Sequence, residues 1–176
     1  MIKVGIVGGA GYTGGELLRL LINHPEANIR FVHSKSNAGN TIGSVHADLD
    51  GETSMVFSGE LNDDIEVLFL CVGHGEARKF LQNNPVSNRV RVIDLSQDFR
   101  LNDTKTFSGT GRAAGSSDVG TTERNFVYGL PELNKDAIRT TFNIANPGCF
   151  ATALQLGLLP LAKAGLLKDV YSTGIT

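Results

Sequence analysis

Residues 4–22 read VGIVGGAGYTGGELLRLLI, and this stretch decides the fold. The apolar run from Val4 to Val7 predicts a fully buried first strand. A glycine-rich turn follows it, and leucines at helical spacing then predict a helix over residues 14–24, ended by Pro25. Strand, glycine turn and helix in this order indicate an α/β protein with a Rossmann-type, doubly wound parallel sheet.

The rest of the chain continues the alternation of apolar runs and helical patterns. Between residues 102 and 122 the sequence is rich in Gly, Ser, Thr and Asp without periodicity, which predicts a long loop. The remaining predicted elements are strands at 29–33, 55–57, 66–72, 90–94 and 142–145, and a crossover helix at 76–82.

A domain boundary is predicted at the turn that ends in Cys149. An apolar helix is expected over residues 150–164, with a kink or a break at Pro160, and residues 170–172 look like the start of another strand. That strand has no following segment to pair with. We therefore expect residues 1–148 to form the nucleotide-binding domain and residues 149–176 to begin an incomplete α+β domain for substrate binding, catalysis and dimerisation.

Composition excludes several classes of function. The formal net charge is -2 and the basic residues are scattered, so no nucleic-acid partner is expected. No apolar run approaches the length of a membrane span, which makes a cytoplasmic protein without a membrane partner the default. Two cysteines and four histidines without ligand spacing predict no metal site.

The glycine turn is a candidate dinucleotide site because it joins the first strand to the first helix. Gly8 permits a tight turn, Gly11 lets a phosphate approach the backbone, and Gly14 lets the helix pack closely on the strand. Tyr12 and Thr13 begin the helix whose amides face the phosphates. The spacing is G-x-x-G-x-x-G rather than G-x-G-x-x-G, and the alternative is a flexible turn without a ligand.

The segment after the second predicted strand indicates which dinucleotide is bound. An NAD site usually has Asp or Glu there to hold the ribose hydroxyls, whereas this chain has Ser34, Lys35 and Ser36. Two hydroxyls and an ammonium group suit a 2'-phosphate, so the sequence favours NADP. The alternative is that these residues form a solvated loop.

Cys149 is the candidate nucleophile. It follows Pro147 and Gly148 at a predicted helix start, where unpaired amides and the helix dipole favour a thiolate. Cys71 lies inside an apolar run and reads as a small buried hydrophobe. A thiolate beside NADP suggests attack on an acyl phosphate, release of phosphate, and reduction of the resulting thioester to an aldehyde.

Four segments together resemble one family, the N-acetyl-gamma-glutamyl-phosphate reductases. They are residues 8–18 (GGAGYTGGELL), 94–101 (DLSQDFRL), 128–133 (YGLPEL) and 146–152 (NPGCFAT). The resemblance implies NADPH-dependent conversion of the small-molecule acyl phosphate N-acetyl-L-glutamyl 5-phosphate to N-acetyl-L-glutamate 5-semialdehyde, a step of arginine biosynthesis. It does not separate an acetyl from a succinyl substrate.

The resemblance also implies roles for single residues. Cys149 matches the catalytic cysteine, and Arg100 becomes a candidate for holding the substrate phosphate, with an ion pair to a neighbouring aspartate as the alternative. Asn146 orients either the substrate or the turn. Gly73 and His74 belong to a cofactor-binding loop, although the family more often has Pro at the position of Gly73.

The family's catalytic histidine comes from a second domain, and no histidine here matches it. We therefore expect this chain to bind NADP but to turn over little or nothing, and to form a homo-oligomer when full length. Two alternatives stay open: an aspartate-semialdehyde dehydrogenase, whose cysteine turn lacks the Pro-Gly pair, and a non-enzymatic NADP-sensing module.

Overall fold

The computed structural model describes residues 1–101 and 124–175. The strands are β1 (Ile2–Val7), β2 (Ala27–His33), β3 (Val67–Leu70), β4 (Arg91–Asp94), β5 (Val127–Tyr128) and β6 (Asn143–Ala145). The helices are α1 (Tyr12–Leu21), α2 (Ile42–Val45), α3 (Glu76–Asn83), α4 (Pro131–Thr140) and α5 (Cys149–Lys163), with a short 3₁₀ helix at Ala47–Leu49.

The six strands form one parallel sheet in the order β2-β1-β3-β4-β6-β5. One face packs on α1 through a cluster that includes Ile6, Leu18 and Val32. The opposite face packs on α3 through a second cluster that includes Leu70 and Ala77. Because helices cover both faces, the prediction of a doubly wound parallel sheet is confirmed.

The strand order reverses beside β1. The chain moves from β1 to β2 on one side and then returns to place β3 on the other side. In doubly wound sheets, ligands bind in the crevice outside the carboxyl ends of the strands at such a switch point. The turn after β1 and the loop after β3 therefore border the expected crevice.

Several predicted elements differ from those observed. Residues 55–57 are not a strand of the sheet, because only isolated bridges connect this segment to its surroundings, at Thr41 with Val56 and at His33 with Ser58. Residues 170–172 are not in a strand either. Pro160 neither ends nor interrupts α5. The missing N–H of Pro160 costs the helix one hydrogen bond, and the helix continues past it to Lys163.

Neither β5 nor α4 was predicted from the sequence. The strand β5 has only two residues, which is too short for a periodicity, and α4 contains a non-helical residue at Asn134 that breaks its pattern. The loop predicted over residues 102–122 lies outside the described residues. Within residues 1–101 and 124–175, no helix combines the length and the apolar character needed to cross a membrane.

Candidate active site at the carboxyl edge of the sheet

The glycine turn after β1 is tightly packed by the protein itself. Gly8 has a φ of 79°, and an added Cβ would lie 2.4 Å from the Cys71 carbonyl oxygen. A Cβ at Gly14 would lie 2.6 Å from the Gly8 carbonyl oxygen and 2.6 Å from the Gly9 Cα atom. These neighbours are backbone atoms and cannot swing aside. Gly8 and Gly14 are therefore required by the fold itself.

Gly11 is different because a Cβ there would meet only ordinary contacts, the nearest at 3.4 Å. Gly11 is the N-cap of α1 and supplies no side-chain cap, and Tyr12 and Thr13 follow it with exposed side chains. The first amides of a helix have no intrahelical partners. The open space and the uncapped amides make this end of α1 suitable for a phosphate.

The segment after β2 forms a small hydroxyl cluster. The Ser34 side chain is buried, its Oγ lies 3.5 Å from Ser36 Oγ, and Asn37 Nδ2 donates to both hydroxyls at 3.3 and 3.1 Å. Lys35 is exposed beside them. Burial and the nearby Lys35 ammonium lower the pKa of His33, which keeps its imidazole neutral. No Asp or Glu occurs between residues 27 and 47.

The loop after β3 is fastened to the loop after β4. Asp98 accepts hydrogen bonds from the amides of Gly75 at 2.6 Å and Arg78 at 3.0 Å, so it caps α3 from another part of the chain. Burial opposes ionisation of Asp98, but these bonds hold its pKa below the ordinary value. His74 Nδ1 accepts from the Gln97 amide at 3.2 Å. The N-terminus of α3 is thus occupied by a carboxylate, and Gly73 has free space around it.

Arg100 reaches the cysteine turn. Its Nε donates to the Asn146 carbonyl at 2.8 Å and its Nη2 to the Leu95 carbonyl at 2.9 Å. A Cβ at Gly148 would lie 2.8 Å from Arg100 Nη1. The guanidinium therefore lies against the turn, and among the described ion pairs there is none between Arg100 and an aspartate.

Asn146 is held in place by the turn that contains it. Its amide donates to the Asp94 carbonyl at 2.8 Å, and its Nδ2 donates to the Pro147 carbonyl at 3.2 Å. Asp94 is fully buried, which raises its pKa, although the amide and hydroxyl of Ser96 oppose that shift. The Asn146 side chain consequently shapes the backbone that precedes the cysteine.

The two cysteines occupy contrasting environments. Cys149 is exposed and is the first residue of the 15-residue helix α5, whose N-cap Gly148 provides no side-chain cap. Cys71 is 8% exposed, and burial, with a contribution from Asp94, raises its pKa to about 12. Only Cys149 combines access to solvent with a helix N-terminus.

Cys149 and the glycine turn lie at the same edge of the sheet. Cys149 follows the carboxyl end of β6, and the glycine turn follows the carboxyl end of β1. Two strands, β3 and β4, lie between β1 and β6 in the sheet. At about 4.8 Å between neighbouring strands, the separation is about 14 Å. An extended dinucleotide can bridge this distance.

Sequence reasoning missed three residues with supporting contacts: His46 and Asp98 support this edge, whereas Arg124 lies at the opposite edge, where β4 and β6 begin. His46 is buried and contacts the Gly9 carbonyl, Asp98 caps α3, and Arg124 donates to the carbonyls of residues 86, 87 and 90 and to Asn143 Oδ1. In residues 1–101 and 124–175, no group of three or more His, Cys, Asp or Glu side chains converges.

Relatives of known name match the whole chain. N-acetyl-gamma-glutamyl-phosphate reductase of Phocaeicola vulgatus is 51% identical over 178 residues, which cover 100% of this chain and 50% of the relative. The protein of the same name from Flavobacterium johnsoniae is 49% identical over 177 residues, again covering 100% of this chain and 50% of the relative. The chain spans about half the length of these relatives.

Solved structures with the same fold are more distant in sequence. Aspartate semialdehyde dehydrogenase with NADP from Candida albicans superposes with a TM-score of 0.62 at 18% identity, covering 95% of this chain and 48% of that one. Aspartate semialdehyde dehydrogenase II from Vibrio cholerae gives a TM-score of 0.57 at 18% identity, covering 93% and 47%.

The model of one protein family, described as semialdehyde dehydrogenase, NAD binding domain, matches residues 3–141. This range contains the strands β1 to β5 apart from Ile2, together with the glycine turn and the hydroxyl cluster, and it ends before β6. The chain belongs to the semialdehyde dehydrogenase NAD-binding domain family.

Proposed function

We propose that this chain supplies the cofactor site and the nucleophile of an NADPH-dependent reductase that converts N-acetyl-L-glutamyl 5-phosphate to N-acetyl-L-glutamate 5-semialdehyde. The observation that carries the proposal is the exposed thiol of Cys149, at an uncapped helix N-terminus on the same sheet edge as the glycine turn. The names of relatives about 50% identical to the chain support the choice of substrate.

The cofactor half of the site rests on backbone and hydroxyl groups. The open end of α1 suits the diphosphate, and Gly8, Gly11, Tyr12, Thr13 and Gly14 are the proposed contacts. Ser34, Lys35 and Ser36 are proposed to hold the 2'-phosphate, and Gly73 and His74 to border the nicotinamide half. When bound, NADPH supplies the hydride.

The chemical half of the site rests on sulfur and a guanidinium. The Cys149 thiolate attacks the acyl carbon, a C–S bond forms, and the C–O bond to phosphate breaks so that phosphate leaves with the electron pair. Arg100, with Nη1 directed to the turn, is proposed to steady that phosphate, while Asn146 keeps the turn in shape. After reduction of the thioester carbon, the C–S bond breaks, the thiolate returns and the aldehyde leaves.

The domain division is part of the same proposal. We place the cofactor domain in residues 1–148 and the start of a substrate and dimerisation domain in residues 149–176. None of the α5 side chains is buried among the described residues, and Phe150 is 47% and Leu161 45% exposed. Such apolar exposure fits a helix that packs against further protein, so we propose a homo-oligomeric enzyme. We also propose that the enzyme is cytoplasmic.

The reaction is tested by trapping the thioester. The protein is mixed with N-acetylglutamyl phosphate without NADPH, and acyl adducts are located by mass spectrometry while released phosphate is counted. We expect one adduct on Cys149 and one phosphate per adduct, no adduct in Cys149→Ser, and an unchanged adduct in the control Cys71→Ser. An adduct formed only with aspartyl phosphate, or none with either acyl phosphate, would refute the proposed reaction.

The cofactor is tested separately by fluorescence titration with NADPH and NADH. We expect tighter binding of NADPH, and we expect Lys35→Ala to weaken NADPH but not NADH binding, because only NADPH carries the 2'-phosphate. Tighter binding of NADH by the unaltered protein contradicts this assignment.

A further inference from the structure

His46 is a buried histidine, and its contacts connect it to the glycine turn. It is 9% exposed and lies between α2 and the 3₁₀ helix, where its amide donates to the Ile42 carbonyl and its own carbonyl accepts from the Leu49 amide, both at 2.9 Å. Its ring is tilted against the buried Phe57 at a centroid distance of 6.2 Å. The ring position is therefore fixed from both sides.

The ring makes one polar contact with the turn. His46 Nε2 lies 2.8 Å from the Gly9 carbonyl oxygen. Because a carbonyl only accepts hydrogen bonds, Nε2 must carry the hydrogen. The partners are 37 residues apart in sequence, so this is a tertiary contact rather than part of the local turn.

The direction of the Gly9 carbonyl determines the direction of the next amide. The Gly9–Ala10 peptide is trans and planar, so its C=O and N–H point in opposite directions. With the carbonyl turned inward to His46, the Ala10 N–H points outward, and no acceptor for it is found among the described residues. It precedes the uncapped amides at the start of α1.

Gly15 provides the space that the ring occupies. A Cβ at Gly15 would lie 2.6 Å from His46 Cε1 and 2.7 Å from Nδ1. The same segment is also held on α1 by Arg19, whose Nη2 donates to Asp48 Oδ1 at 2.7 Å. Gly15 and His46 are thus a matched pair, and their contact explains a glycine outside the G-x-x-G-x-x-G spacing.

We propose that His46 is a positioning residue for dinucleotide binding: by holding the Gly9 carbonyl, it directs the Ala10 N–H toward the cofactor diphosphate. This inference rests on the proposed function of the turn. It predicts that His46 acts on the affinity for the dinucleotide and not on the chemical step, because the residue touches no reacting atom.

The first test compares His46→Ala and His46→Gln with the unaltered protein, using NADPH as the probe. Loss of the donor leaves a buried carbonyl unpaired, and we expect His46→Ala to weaken NADPH binding about tenfold while the yield of the Cys149 acyl adduct formed without NADPH changes by less than about twofold. His46→Gln keeps an N–H donor and should recover most of the affinity. The exposed His24 gives the matched control, His24→Ala, with unchanged binding.

The second test is a double-mutant cycle that does not depend on removing His46 alone. Gly15→Ala should displace the ring and weaken NADPH binding about as much as His46→Ala. In the His46→Ala background, Gly15→Ala should weaken NADPH binding by less than about twofold, because the imidazole ring is no longer there to be displaced. Gly157 lies in α5 with no atom within 4 Å of an added Cβ, so Gly157→Ala is the control that leaves binding unchanged.

The outcomes separate this inference from the function on which it rests. If the unaltered protein binds neither NADPH nor NADH, the proposed function fails and the positioning role fails with it. If the unaltered protein binds NADPH and His46→Ala binds it equally well, or if the two substitutions are additive, only the role of His46 is refuted. A lowered melting temperature with unchanged affinity also refutes it.

Discussion

Gly11 and Gly14 belong to one motif, but the structure predicts opposite consequences for their substitution by alanine. At Gly14 the new Cβ would lie 2.6 Å from backbone atoms of the turn, whereas at Gly11 the nearest atom is 3.4 Å away. Gly14→Ala must therefore distort the protein. Gly11→Ala fits the protein and places its methyl group where a phosphate would approach.

The magnitudes follow from these distances. Overpacking against atoms that cannot move costs about 1–3 kcal/mol, and a chain of this size loses about 2–4 °C in melting temperature per kcal/mol. Gly14→Ala should therefore melt about 2–12 °C lower. Alanine is a poorer N-cap residue than glycine, but the φ of -78° at Gly11 is allowed for alanine, so Gly11→Ala should cost about 1 kcal/mol or less. Its effect should appear in NADPH affinity, with a loss of about tenfold or more.

The assay measures both quantities on both variants, melting by circular dichroism and NADPH affinity by fluorescence. If Gly11→Ala binds NADPH as tightly as the unaltered protein, the phosphate does not approach Gly11, and the proposed cofactor site is wrong. If Gly14→Ala melts at the unaltered temperature, the packing argument for that glycine is wrong.

Three further outcomes are expected. Iodoacetamide should alkylate Cys149 in the native protein and Cys71 only after unfolding, since burial raises the pKa of Cys71 to about 12; early labelling of Cys71 contradicts this. Asp98→Asn should lower the free energy of unfolding by about 1 kcal/mol at pH 7, because the α3 cap is weakened. Because the folded-state pKa of Asp98 is lowered, this loss should shrink as pH falls below about 4, and a constant difference in melting temperature argues against the capping role. Arg124→Met should lower the free energy of unfolding by about 2–3 kcal/mol, because the oxygens that Arg124 binds lose their donor. Urea unfolding measures this loss, and an unchanged free energy of unfolding refutes the stabilising role of Arg124.

The first strand-turn-helix unit of the fold could be predicted because its signals are local. The apolar run of β1, the glycine turn and the leucines of α1 are adjacent in sequence, and their order alone indicates the strand-turn-helix unit. The prediction for residues 55–57 was wrong because an apolar triplet does not show whether a neighbouring strand is free to pair. Here Val56 makes a single bridge to Thr41, and the next residue but one, Ser58, makes a single parallel bridge to His33 of β2.

The supporting residues could not be predicted because their partners are distant. His46 meets Gly9 across 37 residues, Arg124 meets the Val86 carbonyl across 38, and Asp98 meets the Gly75 amide across 23. No spacing rule connects such pairs. The candidate nucleophile could be predicted because its signals, Pro147 and Gly148 followed by an apolar helix, are all within a few residues of Cys149.

The supporting contacts have a common feature that bears on how the site works. His46, Asp98 and Arg100 use their polar atoms mainly on backbone groups of neighbouring loops. Apart from the side chains of residues 34–36, the groups that we propose for ligands are backbone amides at the start of α1, the Nη1 nitrogen of Arg100 and the thiol of Cys149. A site of this kind depends on the exact shape of its loops, because an amide cannot turn toward a ligand as a side chain can. Substitutions at these supporting side chains should therefore change affinity through loop geometry, even where they contact no ligand.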